Sequence, residues 1–302
     1  MSNDIHLRNA EIMLVGNKVM YQMGDYIHGK LIISLNGRLS LSRVKLRLTC
    51  VATIKPVDNS MYQKEGKVCM DKNLYKHVFL DHTYELPEQI CATTLQPGNH
   101  EIPFKFQLPE SGIPSSFESI YGCICYFIEY IIGESDRSHR SGCEIIVEAP
   151  VKDNLYLSVG GSTEKDLGIL CLGSGKISLS THINKKGFLA GESLDIHCFI
   201  DNLSTVSVTP RATLYQTQIF MTGDKHKTIE IQLSEPILGS VINAGHKQQE
   251  ILKIKIPEKT ILTMKSSLIT VKYFIHLTLD IPYTIDLHLN LPIVITNKYA
   301  LT

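Results

Sequence analysis

The strongest constraint on this chain is a period of two. The segment "RVKLRLTC" (43–50) sends Val44, Leu46, Leu48 and Cys50 to one side and Arg43, Lys45, Arg47 and Thr49 to the other. "PFKFQLP" alternates Phe104, Phe106 and Leu108 with Lys105 and Gln107, and "DLHLNLP" alternates Leu287, Leu289 and Leu291 with Asp286, His288 and Asn290. Extended backbone carries successive side chains to opposite faces, so each run specifies a strand with one dry and one wet face. Helical periodicity is almost absent, with one weak helix signal at 86–91. Asn36-Gly37 lies between "KLIISL" and "RLSLSRVKL" and reads as a type I′ hairpin turn, because both residues tolerate positive φ. Many short strands separated by turn signals predict an all-β fold built as antiparallel immunoglobulin-like sandwich.

The strands are arranged twice. Tyr-Phe-Ile occurs in "CYFIEYII" (125–132) and again in "KYFIHLTL" (272–279). "MGDYIHGKLIISL" (23–35) resembles "AGESLDIHCFIDN" (190–202), each a Gly, an acid and a strand. "QPGNHEIPFKFQLP" (96–109) resembles "NAGHKQQEILKIKIP" (243–257), each closing on an apolar residue and Pro. Three ordered matches at near-equal spacing imply two tandem sandwiches, at 5–149 and 176–298. The intervening 150–175 is rich in Gly, Ser and charge and reads as a linker, and the polar stretch 56–77 reads as a long loop. Parity assigns Tyr126, Ile128, Tyr130, Tyr273, Ile275 and Leu277 to dry faces. It leaves Phe127 and Phe274 on the wet side with Glu129 and His276, open as contacts.

The chemistry of the side chains excludes more than it assigns. Thirty basic and thirty acidic residues cancel, so no nucleic-acid partner is expected. The N-terminus lacks a basic n-region. The longest apolar run, "CICYFIEYII", is about half of the ~20 residues that span a bilayer. A cytosolic chain is therefore expected, and the sequon Asn202-Leu203-Ser204 has no meaning there. The cysteines at 50, 69, 91, 123, 125, 143, 171 and 198 form no CxxC pair and read as reduced, mostly buried thiols. "LCLGSGKI" (170–177) lacks the first Gly and the final Ser or Thr of a phosphate loop. His77 and His82 with Asp81 lack any metal-binding spacing, and His197-Cys198 points its two side chains to opposite faces of a strand. No catalytic residue, cofactor or metal is assigned.

What remains is cationic. Arg43, Lys45 and Arg47 line one strand face, Lys185 and Lys186 occupy a turn, and Lys253 and Lys255 line another strand. These seven are the candidate partner-binding residues, for an acidic or phosphorylated peptide or an anionic lipid surface.

Specific segments resemble the α-arrestins, the arrestin domain-containing family. "SGKISLSTHINKKGFLAGESL" (174–194) resembles the opening of their second domain, including the Gly-x-x-x-Gly-Glu-Ser turn from Gly187 to Ser193. "PRATLYQTQIF" (210–220) resembles their Tyr-Gln-Thr-Gln strand, and "LDIPYTIDLHLNLPIVI" (279–295) their closing strands. "GDYIHGKL" (24–31) and "LQPGNHEIPFKFQLPESGIPSSFES" (95–119) match corresponding parts of the first domain.

The resemblance implies the arrestin fold and a non-enzymatic adaptor, peripheral at the plasma membrane or endosomes. It would bind cytoplasmic tails or loops of membrane cargo for ubiquitin-linked endocytic sorting. Members recruit HECT-type ubiquitin ligases through PPxY motifs. This sequence has no Pro-Pro dipeptide, and Pro282-Tyr283 lies within a strand segment, which leaves direct ligase recruitment without a motif. Two alternatives stand beside the adaptor: a retromer-like coat subunit of the same fold in a stable complex, and a redox-regulated binding protein.

Overall fold

The computed structural model describes residues 7–55, 61–64, 67–70, 74–84, 86, 92–133, 138–168 and 174–301. The chain divides into two compact units, Met1–Ala149 with Phe220–His226, and Pro150–Ile219 with Lys227–Thr302.

The first unit contains β1 (Leu7–Leu14), β2 (Met20–Gln22), β3 (Tyr26–Leu35), β4 (Leu39–Ser40), β5 (Val44–Ile54), β6 (Met61–Lys64), β7 (Lys67–Met70), β8 (Tyr75–Tyr84), β9 (Thr94–Leu95), β10 (Gly98–Gln107), β11 (Phe117–Ser119), β12 (Gly122–Ile132) and β13 (His139–Glu148). One sheet runs β1-β3-β10. The other runs β2-β13-β12-β5-β8, with β11 added to β12. The expected alternation is present: on β5, Val44, Leu46, Leu48, Cys50, Ala52 and Ile54 are all buried. Each large apolar side chain removed from water contributes about 1.5–3 kcal/mol.

The second unit contains β14 (Val159–Leu167), β15 (Gly175–Ile183), β16 (Gly187–Leu189), β17 (Ser193–Ser204), β18 (Thr209–Thr222), β19 (Lys225–Gln232), β20 (Ile237–Leu238), β21 (His246–Lys255), β22 (Met264–Lys265), β23 (Ile269–Asp280) and β24 (Leu287–Thr296), except that the tip of the β18–β19 hairpin, Phe220–His226, groups with the first. Its sheets run β14-β15-β17-β21 and β16-β24-β23-β18-β19, with β20 added to β18 and β22 to β23.

The two orders superimpose as topology. β12 and β23, the Tyr-Phe-Ile strands, lie between equivalent neighbours, and each carries a short third partner, β11 or β22. β2 pairs parallel with β13 as β16 does with β24. Among the described strands, β14, which extends the β15-β17-β21 sheet, has no counterpart in the first unit's β1-β3-β10 sheet.

Three expectations fail. The stretch 150–175 is not simply a linker, because Val159–Leu167 pairs residue for residue with β15. Its glycines serve close approach: a Cβ on Gly160 would meet the Thr181 carbonyl at 2.9 Å, and one on Gly161 the Leu289 side chain at 3.1 Å. The stretch 56–77 is not simply a loop, because Met61–Lys64 pairs with Lys67–Met70 and β8 begins at Tyr75. Asn36-Gly37 closes no hairpin: neither residue has positive φ, and Leu39 pairs with Leu95. β3 already has β1 and β10 on its two edges, so the chain crosses to the other sheet instead of folding back. The helix expected at 86–91 lies, apart from Leu86, outside the described residues.

Candidate functional site

The seven cations are held in three places, and acids accompany most of them. Arg43 is not on the strand: it ends a 3-10 turn, Leu41–Arg43, and its carbonyl accepts from Gly133 N at 3.0 Å. Lys45 and Arg47 do project from the outer face of β5. Arg47 Nε and Nη2 donate to Asp81 Oδ1 and Oδ2 at 2.6 and 2.5 Å, and Nη1 reaches Glu129 Oε1 at 3.4 Å. Glu129 stands directly opposite on β12 and Asp81 diagonally on β8. The two-pronged bond to Arg47 holds the Asp81 carboxyl below the usual carboxylate range and pushes the Arg47 guanidinium further up. Arg47 is thus a cross-strand clip, and Lys45, exposed beside it, is the cation on this face that an incoming anion can meet.

Lys185 is a structural residue with a twin. Its Nζ meets Glu192 Oε1 at 2.5 Å and lies 5.0 Å from the centroid of the Phe188 ring. Glu192 Oε2 accepts from Leu189 N at 2.9 Å, so one carboxylate closes the turn and holds the lysine. Gly191, at φ 82°, donates its N–H to the Ile256 carbonyl, and Ile256 N donates back to the Glu192 carbonyl. The first unit repeats the arrangement, with the glycine's acceptor one residue further along. Lys18 Nζ meets Asp25 Oδ2 at 2.9 Å over the Tyr21 ring, and Gln22 N donates to the same oxygen. Gly24, at φ 87°, donates to the Pro109 carbonyl, and Leu108 N to the Asp25 carbonyl. The Gly-x-x-x-Gly-Glu-Ser turn is this lock, and its positive-φ glycine is required by the backbone. Lys186 sits next to it, with its own N–H on the Leu155 carbonyl.

Lys253 and Lys255 project from the outer face of β21. Lys253 lies 3.4 Å from Asp195 and Lys255 3.5 Å from Glu258, both with more than half of the side chain in water. Such exposed pairs are worth at most about 1 kcal/mol and open readily to a competing anion. On the same face, Ser180, His182, His197, Phe199, Gln249 and Ile251 line a groove of about 460 Å³. His182 and His197 stack at 4.7 Å, and Phe199, Leu203 and Ile251 stand exposed at 40, 56 and 58%. Parity alone places Phe199 and Leu203 outward, a signal that charge, which neither carries, does not give.

The arrangement offers non-covalent docking. His197 faces outward while Cys198 is buried beneath the sheet, and burial, then the Glu250 charge, pushes its thiol up to about 12. Burial likewise takes Cys50 up to about 11. Neither thiol supplies a nucleophile at neutral pH. Among the described residues no three His, Cys, Asp or Glu side chains converge as a metal centre, and no helix is long and apolar enough to cross a membrane.

Two family models match this chain: "Arrestin (or S-antigen), N-terminal domain" over residues 10–154 and "Arrestin (or S-antigen), C-terminal domain" over 173–299. The chain is 33% identical over 216 residues to arrestin domain-containing protein 4 of Mus musculus, covering 70% of this chain and 52% of that protein. It is 33% identical over 206 residues to the Homo sapiens protein of that name, covering 67% and 49%. Thioredoxin-interacting protein of Sus scrofa is 21% identical over 306 residues, covering 98% of this chain and 76% of that protein. The chain thus spans about half the length of the arrestin domain-containing proteins it matches.

Proposed function

This chain belongs to the arrestin family, in its arrestin domain-containing branch, and on that premise we propose that it is a non-enzymatic adaptor. In this reading it binds cytoplasmic tails or loops of membrane-protein cargo and directs them into endocytic or endosomal sorting linked to ubiquitin, from a cytoplasmic position at the plasma membrane or endosome. The observation that carries the reading is the match of both arrestin domains, between residues 10 and 299, onto two sandwiches whose edge strands β1 and β21 are paired on one side among the described residues.

Among the described residues β1 pairs on one side only, with β3, and β21 pairs along its length with β17. An extended cargo segment can add to such an edge by main-chain hydrogen bonds. Lys45, Lys186, Lys253 and Lys255 would then select acidic or phosphorylated side chains, and the same charges suit an anionic lipid surface. No PPxY lies within these 302 residues, so the reading assigns them the cargo-binding half of the task. HECT-type ligases enter it as partners reached by another contact.

Proximity labelling in cells, followed by quantitative recovery on the intact chain, tests this. A varied set of membrane proteins at low stoichiometry is expected, reduced when Lys45, Lys186, Lys253 and Lys255 are changed together to Glu. Equimolar recovery of one fixed set of partners would instead establish the retromer-like coat subunit and reject the adaptor.

A further inference from the structure

The outer face of the larger sheet in the second unit carries a ladder of rings. Phe274 stacks on Tyr215 at 5.5 Å, Tyr215 meets His276 edge-on at 5.9 Å, and His276 lies over His288 at 5.2 Å. The ladder ends in a contact between two imidazoles. His276 pairs in register with Asn290, and His288 with Thr278, so the two histidines are diagonal neighbours. Diagonal positions, about 7–8 Å apart at the backbone, are within reach of ring side chains, and His276 Nε2 and His288 Nδ1 approach to 3.2 Å. Tyr215 backs the His276 ring from β18 and Thr278 Oγ1 lies 3.5 Å from His288 Nδ1, so both rings are held where they are.

We propose that His276 and His288 form a two-imidazole site for a late first-row divalent metal ion, of the nickel, copper or zinc class. Two nitrogens bound to one such ion at about 2.0–2.1 Å, with an angle between square and tetrahedral, lie about 2.9–3.4 Å apart. The observed 3.2 Å falls inside that window: the donor ring carries its proton on its other nitrogen, both rings turn so that their lone pairs meet off the N···N line, and an ion takes the place of the shared hydrogen bond.

On the face of Tyr215 the Arg211 guanidinium is engaged by Asp280, Nε and Nη2 donating at 2.9–3.3 Å, so its charge is paired. Imidazole ligands favour this class of ion over magnesium or calcium. The protein supplies two ligands, which leaves positions for water or for a side chain from a bound partner.

Calorimetric titration with Ni²⁺, after alkylation of the accessible thiols, tests the site. One ion per chain is expected in the tight phase. His276→Ala and His288→Ala should each weaken it about tenfold or more, since even outer-shell losses cost that much. His182→Ala should leave it unchanged, because the His182–His197 pair is stacked without a nitrogen-to-nitrogen contact among the described bonds. His288 is exposed, so its removal leaves the fold intact and the comparison valid. Binding to the double variant as tight as to the native chain, or an equal loss on His182→Ala, overturns the proposal. A ¹⁵N spectrum of the native chain gives a second reading: Ni²⁺ should broaden the His276 and His288 ring signals first, and uniform broadening of all histidines counts against the site.

Discussion

Tyr126 and Tyr273 hold the same station in the two sandwiches: each donates its hydroxyl to the carbonyl of the residue twelve positions upstream, Pro114 at 2.6 Å and Ile261 at 2.8 Å. Both side chains are essentially inaccessible, at 0 and 1% exposure. The Tyr-Phe-Ile repeat therefore preserves an anchor, a buried phenol that pins the loop leading into its own strand. The second copy is more elaborate. Tyr273 also accepts from Gln216 Nε2 at 2.7 Å, and Gln216 Oε1 accepts from Gln218, so the two glutamines of the Tyr-Gln-Thr-Gln strand form a buried chain ending on this hydroxyl. In the first copy the residue beside the phenol is Cys50, a weak partner.

Tyr126→Phe should cost about 1–2 kcal/mol, because it leaves a buried carbonyl unpaired. Tyr273→Phe strands both a carbonyl and the Gln216 amide, and should cost about 2–4 kcal/mol. Urea unfolding of both variants checks the order, and equal losses would mean that the glutamine chain re-pairs.

Arg47 makes a second test. From sequence alone its reversal looks harmless, because it lies on a wet face. In the structure Arg47→Glu gathers three acids, at positions 47, 81 and 129, where an ion-paired clip stood. Stability in thermal unfolding should fall clearly on Arg47→Glu and stay within about 0.5 kcal/mol of native on Lys45→Glu. Affinity for an acidic cargo peptide should respond to Lys45 instead. A native melting temperature for Arg47→Glu would show that the clip contributes nothing.

Parity was legible in the sequence because it is local. Tyr126, Ile128, Tyr273 and Ile275 needed only the two-residue period to be placed in the cores, and burial bears each out. Register is not local. Asp81 reaches Arg47 across 34 residues, and the His276–His288 contact exists only once two strands are aligned across a turn. Composition misleads where one residue type serves two purposes: Gly160 and Gly161 read as linker but pair with β15 in a strand, where a Cβ would crowd the Thr181 carbonyl and the Leu289 side chain. Charge misled likewise, since Lys185 looked available until Glu192 was seen beside it. Of Phe127 and Phe274, the second is covered by Tyr215 from the next strand, and only Phe127, 37% exposed, stays open.

The thiols distinguish a docking protein from a redox-regulated one. Cys50 and Cys198 are buried, with thiols pushed up to about 11 and about 12 by burial first. At pH 8 their thiolate fractions are on the order of 0.1 and 0.01%. Burial, and then neighbouring Cys123, takes Cys125 up to about 12 as well. Iodoacetamide followed by mass spectrometry should label Cys123 first of these four and spare Cys50 and Cys198 until urea is added. Native labelling of Cys198 at the rate of Cys123 would reopen the redox reading for the second sandwich.

The turn lock separates a charge from a cap. Lys185→Ala removes only a part-exposed ion pair and should cost about 0.2–1 kcal/mol. Glu192→Ala removes the pair and also the acceptor for Leu189 N, and should cost about 1.5–3 kcal/mol. Thermal unfolding of the two variants decides it: a Lys185→Ala loss as large as the Glu192→Ala loss would place the stabilisation in the ion pair and not in the turn.

Its twin at Asp25 gives a pH dependence with a defined sign. Burial pushes the Asp25 carboxyl up, but the hydrogen bonds from Lys18 and from Gln22 N–H outweigh it, and the group ionises below its ordinary value. A carboxyl with a depressed folded pKa stabilises the fold fully above its unfolded value, about 3.9, and loses that contribution as pH falls through the folded value. Asp25→Asn keeps an acceptor for Gln22 N but removes the charge. The variant should be about 0.5–1 kcal/mol less stable than native at pH 7, a figure already reduced for solvent screening of this part-exposed pair. The gap should hold from pH 7 to about pH 5 and close as the pH drops below about 4, because the native chain then loses the same charge. Urea midpoints for both chains across that range measure it. A gap of constant size down to pH 3 would mean that the hydrogen-bond geometry, and not the charge, is what Asp25 contributes to the turn.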